Sequence, residues 1–215
     1  LIIIYSIILS FLFLLFDISK IIFGMGGYSS FPICIAAATL KIKFIIYENN
    51  LIIGKSNRYL LPFAQKLFVS FKELEGIPKK YNYKVFEIGN LVRDEIINSN
   101  QVKDNDEQFF LNNINVLVLG GSQAAKAFAD ELPTVFEKLN NAKIPLKVYQ
   151  QCQKAQLDQL SKFYQRANIN HELFHFSNKI VDYYNKANLV ITRSGASVLA
   201  ELVNKKIPFI SIPLP

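Results

Sequence analysis

Two stretches in the second half of the chain carry the residue types that hold a phosphate. INVLVLGGSQAAKAF occupies residues 114–128, and NLVITRSGASVLAEL occupies residues 188–202, 74 positions further on. Each reads as an apolar strand, a tight turn of small residues and a helix. That order aims free backbone N–H groups and the positive end of a helix at one point, which suits an anion. Either stretch alone could be an ordinary strand-to-helix turn. The pair favours a nucleotide diphosphate held between two loops.

Ser122 and Gln123 open the first of these helices. Ser122 has the chemistry of an N-cap, and its hydroxyl with the adjacent N–H groups could equally bind phosphate. Glu201 lies four residues after Ser197 and seven after Ser194, so neither pair has the three-residue spacing of a capping box. A helical side chain leans towards the N-terminus. From Glu201 it can reach back to the loop and accept hydrogen bonds from sugar hydroxyls; a solvated carboxylate on a helix face is the plainer alternative.

Other motifs exclude more than they assign. Gly24, Gly26 and Gly27 follow an apolar run, but Ser29 stands where G-x-G-x-x-G needs its last glycine. Gly54-Lys55 lacks the preceding glycine of a Walker loop. Asp104 and Asp106 spell D-x-D, a metal-holding pattern in some glycosyltransferases, yet they lie in a polar stretch and not at a strand end. His171 and His175 fall in a strand-like segment, where a four-residue spacing does not make a zinc pair. Cys34 and Cys152 match no metal or redox spacing and read as packing thiols of a reducing compartment.

These residues need elements to position them. From residue 18 the pattern alternates strands (21–24, 43–48, 66–71, 84–89) with helices (FPICIAAATL and 55–64). Residues 98–114 are polar and turn-prone and read as a linker. Beyond it come strands at 115–120, 145–150, 171–176, 188–192 and 207–212, with helices at 123–139, 153–167, 179–187 and 196–204. Such βαβα order implies α/β units with parallel sheets, whose ligands sit beyond the carboxyl ends of the strands. The expected domains are 1–97 and 115–215.

Charge adds a weak constraint. The net +7 divides as 12 Lys/Arg against 10 Asp/Glu (+2) in residues 1–113 and 12 against 7 (+5) in 114–215. No basic cluster is dense enough for a nucleic-acid arm. The apolar run LIIIYSIILSFLFLLF, residues 1–16, would span roughly 24 Å as a helix, short of the roughly 30 Å hydrocarbon core. A helix on a membrane surface, a true span and an ordinary core element all remain open readings. With Leu1 at the start and KIPFISIPLP at the end, the chain reads as part of a longer one.

GMGGYSSFP, YENNLIIGKSNR, GNLVR, VLVLGGSQAAKAF and NLVITRSGASVLAEL stand in the order and spacing of the bacterial MurG family, which residues 18–215 resemble. That family moves GlcNAc from UDP-GlcNAc to an undecaprenyl-linked muramyl-pentapeptide, making lipid II for peptidoglycan. The resemblance implies a GT-B fold of two facing Rossmann-like domains, with no metal and no cofactor. It implies a peripheral enzyme on the cytoplasmic face of the inner membrane, with residues 1–16 touching the lipid. Asn50 and Arg93 would reach the donor from the first domain. Ser122 and Gln123 would serve the phosphate side, and Ser194, Gly195, Ala196 and Ser197 the diphosphate and ribose. Glu201 would accept the ribose hydroxyls, and Phe176 with Ser177 would lie against the uracil.

The chain departs from the family pattern in places. Tyr47 replaces the usual His, Asn49 the usual Gln, Leu91 the proline of G-N-P-V-R, and Ala124 the glycine after GGSQ. The family's first glycine loop, with its candidate catalytic histidine, would precede Leu1, and its GlcNAc-reading glutamine pair would follow Pro215, so this 215-residue polypeptide should be inactive. Competing readings are another GT-B glycolipid transferase, a UDP-sugar epimerase, and a non-catalytic membrane-anchored scaffold.

Overall fold

The computed structural model describes residues 2–17, 19–99 and 114–213, without the side chains of 122–125. The expected linker at 98–114 and the D-x-D pair therefore fall largely or wholly outside the described residues. The chain packs as two compact units, Leu1–Leu91 and Val92–Pro215.

In the first unit, helix α1 (Ile2–Phe16) precedes strand β1 (Ile21–Gly24), helix α2 (Gly27–Thr39), strand β2 (Lys43–Glu48), helix α3 (Lys55–Leu60), strand β3 (Lys66–Val69) and strand β4 (Val85–Glu87). The four strands pair in parallel in the order β1-β2-β3-β4. Their apolar residues, with Cys34 and Ala36 of α2 and Leu60 of α3, form one buried core. Gly24 is required there, because a Cβ on it would sit 2.7 Å from Cys34 Sγ.

Two helices differ from expectation. α2 starts one turn early, at Gly27, where Gly26 and Gly27 take positive φ values of 78° and 73°; Pro32 thus lies inside it. α3 stops at Leu60 and not at residue 64, and the chain leaves it through a turn at residues 61–63 that contains Pro62. The buried Lys84 ammonium donates to the carbonyls of Leu61, Pro62 and Ala64, which the shortened helix leaves open.

The second unit begins earlier than the sequence implies. Helix α4 (Asp94–Asn98) buries Ile96 among Leu117, Leu119, Tyr149 and Leu202, so residues 92–97 pack with the second unit and not the first. After α4 come β5 (Ile114–Leu119), α5 (Gly121–Asn141), β6 (Leu146–Gln151), α6 (Leu157–Arg166), β7 (Asn170–Phe174), α7 (Ile180–Lys186), β8 (Leu189–Arg193), α8 (Ala196–Asn204) and β9 (Phe209–Ile212). The parallel sheet runs β7-β6-β5-β8-β9. From β5 the chain winds outward through β6 to β7, then returns to the other side of β5 as β8. Strand order reverses there, and in open α/β sheets the carboxyl ends at such a reversal flank the ligand crevice.

Candidate functional site

The reversal brings the two small-residue turns side by side. β5 and β8 are hydrogen-bonded neighbours, with Val118 opposite Ile191 and Leu119 opposite Thr192. One turn leaves β5 at Gly120-Gly121 and enters α5; the other leaves β8 at Ser194-Gly195 and enters α8. Gly121 has φ 61°, a left-handed conformation that costs a glycine little. Neither Gly120 nor Gly195, the N-cap residues, supplies a side-chain cap. The helix starts at Gly121, so Ser122 lies in the first turn and is not the N-cap. The side chains of Ser122 and Gln123 lie outside the described residues.

The remaining small residues lie at the second turn and the start of α8. A Cβ on Gly195 would meet nothing within 4 Å. Ala196 and Ser197 open α8, and Ser194 Oγ shares a 2.7 Å hydrogen bond with Ser211 Oγ of β9. Gln151, at the end of β6, accepts the Gly121 N–H through Oε1 at 3.1 Å and donates through Nε2 to the His175 carbonyl at 3.3 Å. It ties the first turn to the segment after β7. There Phe176 is largely exposed, and Ser177 Oγ accepts the Lys179 N–H at 3.0 Å.

Glu201 is not a solvated helix carboxylate. It is 7% exposed, and each oxygen has its own partner. Arg93 Nε donates to Oε1 at 2.9 Å, and the Tyr184 hydroxyl donates to Oε2 at 2.8 Å. Burial, then the adjacent carboxylate, pushes the Tyr184 phenol far up, so it stays a donor. The hydrogen bond it donates to Glu201 likewise raises the Arg93 guanidinium. Arg93, expected on the first domain, thus belongs to the second unit. Tyr184 has no motif around it and was missed by sequence reasoning.

Asn50 sits apart from these residues, in the first unit. Its Nδ2 donates to Glu48 Oε1 at 2.7 Å. The buried Glu48 carboxylate also takes the Gly54 N–H and Asn57 Nδ2, at 2.8 and 3.0 Å. This cluster lines a cavity of about 240 Å³ with Gly26, Gly27 and Lys55. His171 bonds to the Ser161 hydroxyl and the Ile169 carbonyl, and His175 to the Cys152 carbonyl. Among the described residues no group of His, Cys, Asp or Glu could hold a metal ion.

Parallel sheets with a glycine turn at the strand reversal define an α/β fold of GT-B type, and the chain belongs to glycosyltransferase family 28. Residues 3–69 match the glycosyltransferase family 28 N-terminal domain, and residues 115–215 match its C-terminal domain. Within it the chain is a member of the MurG family. It is 36% identical to the UDP-N-acetylglucosamine–N-acetylmuramyl-(pentapeptide) pyrophosphoryl-undecaprenol N-acetylglucosamine transferase of Pelagibacter ubique, over 96% of this chain and 60% of the relative. The transferase of the same name from Francisella tularensis is 36% identical over 92% of this chain and 54% of its own. The chain therefore spans under two thirds of the relatives it matches. Among solved structures, Acinetobacter baumannii MurG superposes with a TM-score of 0.69 at 24% identity, covering 99% of this chain and 58% of that one. A Neisseria meningitidis UDP-GlcNAc 2-epimerase bound to UDP-GlcNAc superposes at 0.61, with 17% identity over 91% and 60%. At those identities the two likenesses concern fold alone.

Proposed function

We propose that the chain is the UDP-sugar-binding part of an inverting transferase that moves GlcNAc from UDP-GlcNAc to an undecaprenyl-linked muramyl-pentapeptide, as the names of its relatives describe. The observation that carries this is the pairing, at the β5/β8 reversal, of two helix N-termini that start from glycine N-caps with a buried, doubly anchored carboxylate. The first turns of α5 and α8, with Ser122, Gln123 and Ser194–Ser197, hold the diphosphate. Glu201 accepts the ribose hydroxyls, and the segment at Phe176-Ser177 lies against the uracil. The acceptor hydroxyl, losing its proton to a general base, attacks the anomeric carbon and forms the new glycosidic bond as the carbon–oxygen bond to the diphosphate breaks. Negative charge grows on the departing UDP, where fixed N–H dipoles stabilise it.

Asn50 and the Glu48 cluster serve the first unit's cavity. α1 is the membrane contact: Ile4, Tyr5, Phe13 and Phe16 are all exposed, an apolar surface suited to the lipid face where the acceptor resides. The enzyme then works as a peripheral protein at the inner face of the bacterial membrane. A 2-epimerase reading has the fold likeness behind it, whereas the curated relatives at 33–36% identity carry the transferase name.

Calorimetry of UDP-GlcNAc, UDP-glucose and UDP-galactose against the chain and its Glu201→Ala variant tests the proposal. Binding of a UDP-sugar that weakens at least tenfold in the variant supports it. Binding unchanged by the substitution contradicts the assigned site, and conversion of UDP-GlcNAc to its 2-epimer would favour the epimerase.

A further inference from the structure

Tyr184 has no part in the contacts assigned to the donor, yet its placement is specific. Its side chain is 1% exposed and packs in the core formed by Leu117, Leu119 and Leu202. A phenol buried that deeply needs a partner for its hydroxyl. The partner is Glu201 Oε2, at 2.8 Å. On the other side the Arg93 side chain is 52% exposed and holds Oε1 at 2.9 Å.

An ionised carboxylate offers about four acceptor positions over two oxygens. Tyr184 takes one on Oε2 and Arg93 one on Oε1, which leaves each oxygen an acceptor position and fixes the orientation of the carboxylate plane. Two fixed acceptors side by side match two adjacent hydroxyls. We infer that Tyr184 is a positioning residue that makes Glu201 selective for a vicinal diol, the 2′,3′-diol of a ribonucleoside diphosphate. The inference rests on Glu201 facing the ribose, as proposed above.

The test is the ratio of UDP affinity to 2′-deoxy-UDP affinity, measured by calorimetry on the whole chain. A hydrogen bond to a charged group is worth about tenfold or more in binding, so the wild-type chain should prefer UDP by roughly that factor. In Tyr184→Phe the ring and its packing remain but Oε2 is released. UDP should then lose affinity while the deoxy nucleotide loses little, and the ratio should fall at least threefold. Tyr183→Phe, one position earlier, removes a comparable 2.8 Å bond to Glu172 and should leave the ratio as in wild type.

A purely structural role for Tyr184 would weaken both nucleotides equally; an unchanged ratio with UDP still bound overturns the inference. Should Tyr184→Phe fail to fold, Arg93→Ala at the exposed side of the clamp gives the same readout, and an unchanged ratio there overturns it too. No UDP binding by folded wild-type chain overturns the donor-site proposal as well, which separates the two failures.

Discussion

At position 47 the chain carries a phenol where the family usually carries an imidazole, and at position 91 a leucine where the family usually carries proline. The two departures meet in the structure. The Leu91 N–H, which a proline would lack, donates to Tyr47 Oη at 3.2 Å. The same hydroxyl donates to the Gly89 carbonyl at 3.2 Å and sits 2.6 Å from Ser70 Oγ. Each replacement thus gives the other a partner. Leu91→Pro should cost roughly 1 kcal/mol by the lost hydrogen bond, and much less in a Tyr47→Phe background. Denaturant midpoints of the four members of that cycle check this; strictly additive losses would show that the contact carries no energy. Neither partner could be paired with the other from sequence, because 44 positions separate them and no motif joins them. Glu201 was legible by its offset from the turn, whereas its anchor Tyr184 was not: a tyrosine in a short helix announces nothing until the fold buries its hydroxyl.

For the elements, the alternation of apolar runs and small-residue turns predicts the strands among the described residues within a few positions, since period and turn chemistry are local properties. Strand order is not local, and the adjacency of β5 and β8 comes only from the crossover. α4 escaped notice because DEIIN is five residues long, and it is held by the packing of Ile96 more than by propensity. The junction of β1 with α2 shows how close packing fixes Gly24, whose glycine motif the sequence leaves incomplete. Gly24→Ala should destabilise the first unit by about 1–3 kcal/mol, because its methyl would overlap the Cys34 sulfur. Cys34→Ala should recover part of that loss when the two are combined. Thermal melts of the single and double variants decide the matter; equal losses with and without the sulfur would point to a different cause.

For the molecule as a whole, each of the two units contains one of the two family domains matched. Among the described residues no helix is long and apolar enough to cross a membrane. The 15-residue α1 buries only Leu14 fully and exposes apolar side chains over most of its surface. Replacing Ile4 and Phe13 together by Asp should reduce co-sedimentation with phosphatidylglycerol vesicles roughly tenfold or more, and unaltered sedimentation would remove α1 as the contact. The proposed donor site lies in the other unit, so that double variant should still bind UDP. The proposed donor site stands on where the diphosphate rests. A crystal structure of the chain with UDP tests it most directly. The phosphates should lie against the first turns of α5 and α8, with the ribose diol on Glu201; phosphates seated elsewhere, such as the turn at Gly26-Gly27, would overturn the proposed site.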